Sequence, residues 1–598
     1  MLEQRAMSHL TPVHASAAEA IAAHAGIAAT DLKVDATPRP ELGDFAIGAF
    51  AAAKAAGQNP AELAKQWAAA FAATDLIASA TAAGPFVNLR ANRPAVFRWL
   101  ISAAIEGTLV PRAIGAGQTI VIDYSSPNVS KHLAYHHIRS TMLGHALVQI
   151  FRALGYKVVG INHLGDWGTT HGKLIAAWKK WTPEGNVDIG VLNDLYVRYS
   201  KAAKEDPALE AEGRAWFKKL EDGDAEAHAL WSRFKDISLA EFQTAYDILG
   251  VKFDVVKGES EYLPEVPRVL AELAAKGLSS ESEGALVVMM PDPKMPPLLL
   301  KKSDDATLYA TRDIPSAEYR WSTWHFARSL YVVDRGQSLH FKQLFKTLEL
   351  MGHEWAARCE HIPFGLVQIG GKKGSTKEGN VVLLKDVVSE AENRVKQLLL
   401  DKAAAARGGG VENGELATAA DFDADATSEA EAARIAATVG RGAVVFANLV
   451  AQRDKDVAFE WDRVIALQGD SGVYLQYSHA RCASILRKAG VTTLGLGFVD
   501  FTKLATDAEW AVARRLLEFP QAIVATTPKC EPHIICHYLL ELAGEFSRWY
   551  TAGNGDPSLR VLCEDPPTRD ARLALVSAVK AVLAEGLTLL GIAAPDAM

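Results

Sequence analysis

The sequence predicts a multidomain α/β and α protein. A Rossmann-like parallel-sheet core carries a helical insertion, with a small α+β domain before it and an α-helical bundle after it. Three observations lead there. A β-branched run, Thr119-Ile120-Val121-Ile122-Asp123-Tyr124, is followed by a turn, about twenty residues of helical pattern ending at Leu154, and a second strand-like run over 157–161. Strand, helix and strand in that order form the βαβ unit of a parallel sheet. Residues 1–112 are alanine-rich with mixed helix and strand patterns, and from Ala432 onward the pattern is helical. The 598 residues allow about four domains. A content of 49% hydrophobic and 22% charged residues excludes wholesale disorder.

In chain order, residues 15–28 and 60–73 carry apolar residues at helical spacing, and Asn59-Pro60 is a cap followed by proline at the first helical position. Gly43-Asp44-Phe45-Ala46 reads as a turn, and residues 84–89 read as a turn entering a strand. The core is expected over 113–402, with a charged helical insertion at about 181–255. Its later strand candidates are 285–289, 298–301, 329–333 and 365–369, and residues 341–350 are a helical stretch between the last two. Residues 403–431 hold a Gly-Gly-Gly run, then small and acidic residues, and read as a linker. Residues 432–598 form the last domain, its clearest helices at 461–487 and 531–550.

Composition narrows the chemistry. Five cysteines (359, 482, 530, 536 and 563) cannot all pair and none form C-x-x-C, which argues against a disulfide scaffold or cysteine zinc site. No apolar run approaches the roughly 20 residues of a spanning helix. The N-terminus lacks the pattern of a signal peptide, so a soluble cytoplasmic chain is expected. The net charge of −8 does not exclude a nucleic acid, because phosphate binding needs only a local basic surface.

Three polar clusters stand where a parallel sheet binds ligands, after strand ends. The first is Ser125-Ser126-Pro127-Asn128 leading to Lys131 and His137, a set that suits a polyphosphate whose charge builds as pyrophosphate leaves and equally a basic surface turn. The second is Asn162-His163-Leu164-Gly165-Asp166-Trp167-Gly168. The third is a lysine-rich stretch, Gly371-Lys372-Lys373-Gly374-Ser375-Thr376-Lys377-Glu378-Gly379-Asn380, suited to triphosphate or to water alone. In the last domain Tyr474, Tyr477 and Arg481 lie three and four apart on one helical stripe, a pattern that stacks a splayed base or packs a core. His132 and His136 are i, i+4 on the predicted helix, a zinc spacing with no third ligand nearby; no metal site is expected.

Taken together, these strings resemble the arginyl-tRNA synthetases, a family of class I aminoacyl-tRNA synthetases, over nearly the whole chain. Gly43-Asp44-Phe45-Ala46, Asn59-Pro60 and Pro85-Phe86-Val87-Asn88 are similar to the family's N-terminal domain, which meets the outer corner of tRNA. Ser125-Ser126-Pro127-Asn128 with Lys131, then His137-Ile138-Arg139-Ser140-Thr141, match its nucleotide signature. Tyr309-Ala310-Thr311-Arg312-Asp313, Gln337-Ser338-Leu339-His340-Phe341 and Tyr474-Leu475-Gln476-Tyr477-Ser478-His479-Ala480-Arg481 follow in the family's order.

The resemblance implies a reaction in which arginine, ATP with Mg2+, and tRNA(Arg) give arginyl-tRNA, AMP and pyrophosphate, carried out by a monomer. Members of the family need tRNA to activate the amino acid. It implies that Lys131, His137, Lys373 and Lys377 stabilise the reacting phosphates. Ser126, Pro127, His136, His163, Gly165, Asp166 and Ser375 would hold ATP. Asp123, where many members carry glutamate, would hold arginine with Asn128, Tyr309, Asp313 and Gln337. A guanidinium has five donors and no acceptor, which suits these carboxylates and carbonyl oxygens. Tyr474, Tyr477, Arg481, Tyr550 and Met598 would face the anticodon.

Three departures stand out. The class pattern His-x-Gly-His is Ala134-Tyr135-His136-His137 here, so the first histidine is lost and His136 replaces the glycine beside which adenine lies. Loss of one positioned donor typically costs about 10²–10³ in rate. The lysine loop moves its second lysine by one place. The tail ends Ala593-Ala594-Pro595-Asp596-Ala597-Met598 where the family has Pro-Glu-Arg-Met, which removes an anchoring arginine. A second reading is therefore a catalytically impaired relative that binds tRNA. A nucleotide-activating enzyme of the same superfamily without RNA is a third, against which the helical C-terminal domain counts.

Overall fold

The structure is a computed structural model that describes residues 11–37, 39–302, 309–369, 372–373, 382–407, 429–491 and 495–598. The chain divides into two compact units: Ile114–Val395 with Gly440–Ile465, and Met1–Ala113 with Lys396–Val439 and Ala466–Met598.

In the first unit, the β-branched run forms β1 (Thr119–Asp123), and the chain then enters α1 (His137–Ala153) and β2 (Lys157–Leu164). The helix starts later than its pattern suggested. Residues 128–136 are irregular, held by bridges from Asn128 to Gly165 and from Ala134 to Leu383. His132 and His136 therefore do not share a helical face. Further on come β3 (Val255–Gly258), α2 (Tyr309–Trp324), β4 (Arg328–Tyr331), α3 (Ser338–Leu350) and β5 (Cys359–His361). The sheet order is β5-β4-β1-β2-β3, with every pair parallel. Sequence order runs one way from β1 and the other way from β4, so the crevice between their carboxyl ends is the switch point where such sheets bind ligands.

The core under that crevice is Val121, Val159, Ile161, Ile314, Ala317, Phe326, Tyr331 and Leu344, closed by α2 and α3. Where a helical insertion was expected, helices Ile189–Glu205, Pro207–Glu221 and Ala225–Leu249 pack on a core of their own around Trp178, Leu192, Tyr199 and Phe234. A small antiparallel sheet of residues 279–301 adds a flap of three strands. A parallel pair, β6 (Val367–Ile369) on β7 (Val457–Phe459), follows the core sheet.

In the second unit a four-stranded antiparallel sheet carries the N-terminal region, and Phe45–Gly48 is one of its strands where a turn was expected. Asp44 just before it is 3% exposed. It accepts the Ala91 amide at 2.8 Å and the Trp510 indole N–H at 2.6 Å. The Gly43–Ala46 string is thus a structural bolt. The C-terminal helices include α4 (Gly472–Lys488), α5 (His533–Gly555) and α6 (Pro566–Leu589). The helix expected over 461–487 is two, Trp461–Val464 and α4, broken at a stretch containing Gly469 at φ 77°. The ends of the expected linker belong to helices Leu384–Arg407 and Glu429–Leu449, and residues 408–428 lie outside those described.

Gly144 on α1 meets Tyr124 so closely that a Cβ there overlaps the aromatic ring. Tyr124 is fully buried and tilted against Phe253, and cannot swing aside. Gly144→Ala is expected to destabilise this unit by about 1–3 kcal/mol, the usual range for overpacking. A lowered urea midpoint with unchanged slope checks it.

Candidate active site

The site is built on the turn after β1. Ser125, Ser126 and Ser130 all have positive φ (70°, 48° and 67°). Such strain in non-glycine residues persists only where the surroundings over-determine it. Here they do. The Ser125 amide donates to Ser140 Oγ at 3.0 Å, and Ser125 Oγ lies 2.9 Å from Tyr246 Oη and accepts Thr141 Oγ1 at 2.9 Å. The Ser126 amide donates to Asn162 Oδ1 at 3.1 Å, and Asn162 Nδ2 donates to Tyr246 Oη at 3.1 Å. Gly165 amide and carbonyl bond to Pro127 and Val129, and a side chain at Gly165 has no room beside Asn128.

A cavity of about 510 Å³ opens over this turn. Nine of the residues singled out from sequence line it: Ser126, Asn128, His136, His137, His163, Gly165, Tyr309, Asp313 and Gln337. Those at the turn, with His136, His137 and Gly165, gather at the strand ends; Tyr309, Asp313 and Gln337 come from α2 and the turn before α3.

Four others lie off the wall of this cavity. Asp123 is 5% exposed and off the cavity wall, because its Oδ2 accepts Arg320 at 2.7 Å and its Oδ1 accepts Ser126 Oγ at 2.8 Å. Asp166 is fully buried, taking Lys235 Nζ at 2.7 Å and both the amide and hydroxyl of Ser260 at 2.9 and 2.7 Å. It fastens the β2 turn to the β3 turn. Pro127 is buried with its carbonyl committed to Gly165. Lys131 also misses the wall; its Nζ lies 5.6 Å from the ring centroid of Tyr196 in the insertion, an attractive cation–π arrangement. Ser375 and Lys377 lie outside the described residues. Lys373 is described only as backbone, in the two-residue strand Lys372–Lys373.

The cavity also holds residues the sequence reading passed over. Ser140 and Asp334 line it, and so do Glu259 and His340. His340 stood inside a quoted string, but nothing in local pattern marked Glu259. His340 Nε2 is 2.7 Å from Asp313 Oδ2. Burial alone would raise Asp313, yet the His340 contact outweighs it and holds the carboxyl below its ordinary range. His340 is pushed down by burial, but more strongly up by Asp313, and ends above its ordinary value. Burial drives Glu259 up to about 7, against the opposing pull of Arg312 at 2.8 Å. The result is an acidic end built from Asp313 and Glu259, with the Tyr309 ring, 59% exposed, at its rim.

The other end is built around two histidines. The His136 and His137 rings lie 4.1 Å apart. Burial, then the neighbouring His136, lowers His137 to about 3, so it is neutral at pH 7. Its Nδ1 is 3.1 Å from the Ala134 carbonyl, which can only accept, so Nδ1 carries the proton and Nε2 a lone pair. Nε2 becomes a donor to a phosphate only by taking up a proton, which an arriving polyanion favours.

In the other unit a cavity of about 350 Å³ is lined by Tyr474, Tyr477 and Arg481 of α4 with Leu540 and Gly544 of α5. Tyr477 and Arg481 are each 5% exposed. Arg481 Nη2 donates to Tyr477 Oη at 2.7 Å, and its guanidinium lies 4.7 Å over the Tyr477 ring and 5.4 Å over Tyr550. Met598 is half-buried. The tail is anchored without the family's arginine: Gln476 and His479 donate to the Ala593 and Pro595 carbonyls at 2.9 and 2.8 Å, and Lys580 pairs with Asp596 at 2.7 Å.

Raising pH through neutrality ionises Glu259, which burial has pushed up to about 7. Tyr309 stays neutral, and Asp313 is already anionic. The net change is more negative charge at the acidic end of the cavity. The KM for arginine is therefore expected to fall between pH 6 and 8, and Glu259→Gln to flatten that dependence; a flat profile in the unaltered protein contradicts the argument.

Comparison with known proteins gives three family matches. Residues 13–91 match the arginyl tRNA synthetase N terminal domain, 100–461 the tRNA synthetases class I (R) catalytic domain, and 475–598 the DALR anticodon binding domain. The chain is similar to the arginine–tRNA ligase of an Exiguobacterium species, 43% identical over 560 residues, covering 93% of this chain and 94% of that one. That of Clostridium perfringens is 39% identical over 564 residues, with 94% of each covered. Among solved structures, the arginyl-tRNA synthetase of Thermus thermophilus shares the fold at TM-score 0.78 and 24% identity, covering 98% of this chain and 99% of that one. That of Plasmodium falciparum does so at TM-score 0.74 and 22% identity, covering 95% of each.

Proposed function

The chain belongs to the class I arginyl-tRNA synthetase family, and on that premise we propose how its own residues carry the reaction. The activity is that of an arginine–tRNA ligase: ATP and L-arginine give an adenylate, and arginine then passes to the 3′ end of tRNA, releasing AMP and pyrophosphate. The observation that carries the residue assignment is one cavity with a carboxylate end and a phosphate end.

Asp313 and Glu259 take the guanidinium, with His340 orienting the Asp313 carboxyl and Tyr309 covering the rim. Asn128 and Gln337 hold the α-amino and carboxylate groups near the turn. Asp123 supports this arrangement through Ser126 and Arg320 and does not touch substrate. At the other end Ser126, His163 and Gly165 flank the nucleotide. His136 packs beside the adenine, and His137 meets the phosphates as a proton-accepting, then donating, imidazole. The arginine carboxylate attacks the α-phosphorus and pyrophosphate leaves; no side chain need be a nucleophile. The rate comes from alignment and from charge stabilisation. Lys131, Lys373 and Lys377 supply the remaining positive charge, Lys131 after leaving the Tyr196 ring, with Ser375 beside them.

Magnesium comes with the nucleotide. Bound with ATP, it would offset the charge of the phosphates, taking oxygen ligands. Tyr474, Tyr477, Arg481, Tyr550 and Met598 form the anticodon contact, and the N-terminal domain meets the outer corner of tRNA(Arg). The molecule acts as a cytoplasmic monomer; among the described residues no helix is long and apolar enough to cross a membrane. The reading as a non-catalytic relative is not favoured, since both ends of the cavity keep substrate-fitting groups.

ATP–pyrophosphate exchange with arginine, run with and without cognate tRNA, tests this. Exchange is expected with tRNA, and Asp313→Ala is expected to lower kcat/KM for arginine by about 10²-fold or more, as for other broken buried charge pairs. Silence in both conditions with tRNA binding intact overturns the assignment. Arg481→Ala is expected to weaken tRNA binding by about tenfold, the scale of one stacked base, while leaving the KM for arginine unchanged; a filter-binding titration checks it.

A further inference from the structure

The signature residues His136 and His137 stand between two neighbours that do not reach the cavity, Tyr135 and Arg139. Both are buried, at 3% and 0% exposure. Arg139 directs its guanidinium onto main-chain carbonyls of one turn: Asn448 through Nη1, and Gln452, Arg453 and Lys455 through Nη2 at 3.1, 3.1 and 3.3 Å. Tyr135 accepts Asn448 Nδ2 at 3.1 Å, and that same amide holds the Val444 carbonyl at 2.8 Å. The Tyr135 ring packs edge-on against Phe459, 5.2 Å away.

The gripped turn carries a wall of the active-site cavity. The Gly365 amide donates to the Arg453 carbonyl at 2.7 Å, and the Leu366 amide to Asp456 Oδ1 at 2.8 Å. The Val457 amide donates to the Leu366 carbonyl at 2.9 Å, and β6 then runs parallel to β7. Gly365 lies so close to the Lys455 carbonyl that no side chain fits. Phe364, Gly365, Leu366 and Val367 all line the cavity. On the other side, the Tyr135 amide donates to Val382 at 2.9 Å and the Leu384 amide to Leu133 at 3.2 Å, around the Ala134–Leu383 bridge.

We propose that Tyr135, Arg139 and Asn448 are positioning residues for adenylate formation, one hydrogen-bonded node that fixes His136 and His137 against the cavity wall Phe364–Val367. This rests on the ligase reading of the cavity. Arginine at 139 suits the task because its planar fork spans several carbonyls at once, whereas a lysine ammonium cannot reach all four. Asp313 and Glu259 are held by His340 and Arg312, while the gripped turn reaches the Gln337 segment through Arg335, which pairs with Asp456 at 2.9 Å and donates to the Asp454 carbonyl at 3.2 Å. Disturbing the node is therefore expected to act on the nucleotide step more than on arginine binding.

The test uses the full chain and three variants: Arg139→Lys, Asn448→Ala, and Tyr135→Phe, the last alone and combined with Asn448→Ala. In pyrophosphate exchange with tRNA, Arg139→Lys is expected to lower kcat about 10- to 100-fold, the scale of a roughly 1 Å misplacement, with the KM for arginine within about twofold. Tyr135→Phe adds nothing to Asn448→Ala, because both remove one shared bond. Hydrogen exchange of the same proteins without substrates is the second readout. The Gly365, Leu366 and Val457 amides are expected to exchange at least about tenfold faster in Arg139→Lys, while the amides of β1 and β2 keep their protection. Unchanged protection at those three amides overturns the proposal, whether or not the protein catalyses. So does a KM for arginine that rises in step with the fall in kcat, or additive effects of Tyr135→Phe and Asn448→Ala. Faster exchange in a protein that shows no pyrophosphate exchange even unaltered supports the node and counts only against the ligase reading.

Discussion

A carboxylate at the buried end of an apolar strand has to be paired, because an isolated ionised group in a low-dielectric interior costs many kcal/mol. Asp123 ends β1 in that position, and Arg320 answers it from α2 at 2.7 Å, the guanidinium lying 4.7 Å over the Tyr331 ring. Both partners are nearly inaccessible, at 5% and 1% exposure. Asp313 stands two turns before Arg320 on the same helix, so the ion pair sets the helix register and with it the place of this cavity-lining carboxyl. On its other oxygen Asp123 holds Ser126, and so steadies a turn whose serines sit in left-handed backbone geometry. One buried pair therefore adjusts both ends of the cavity.

The cavity is polarised by what its charges can and cannot find. Asp313 has His340, and Glu259 has Arg312, yet burial leaves Glu259 close to neutrality in its titration. Glu259 thus changes charge near physiological pH at this end of the cavity. At the strand ends His137 is neutral and holds its Nδ1 proton on a carbonyl, a state suited to accepting a proton as phosphates approach. The glycine of the usual signature is a histidine here, and it stands just before α1, which begins at His137.

The C-terminal stripe shows the same trade between packing and recognition. Tyr477 and Arg481 are buried against each other, and the Arg481 guanidinium lies over the Tyr550 ring, so the stripe is a packed wall. The tail ending at Met598 is pinned to α4 and α6 by Gln476, His479 and Lys580, so the arginine missing from its sequence is not needed for its attachment.

Much of this was legible from the amino acids alone. The parallel βαβ core, the ligand turn after its first strand and nine cavity residues follow from β-branched runs, turn residues and ordered strings, because these report local geometry and chain order. Where the chain changes direction was less legible: Phe45–Gly48 is a strand, and the helix expected near residue 129 begins at His137, since pairing with Leu89 in one case and with Leu383 in the other overrides local pattern. Which carboxylates are free was not legible at all. Asp123 and Asp166 look like ligands beside a strand end, yet Arg320, 197 residues away, and Lys235, 69 residues away, claim them. Glu259 carries no local signal and enters the cavity because β3 lies beside β2. Sequence determines which groups can ionise and where strands end; only the tertiary structure decides which charges are already neutralised, because that depends on partners brought together by packing across the sheet.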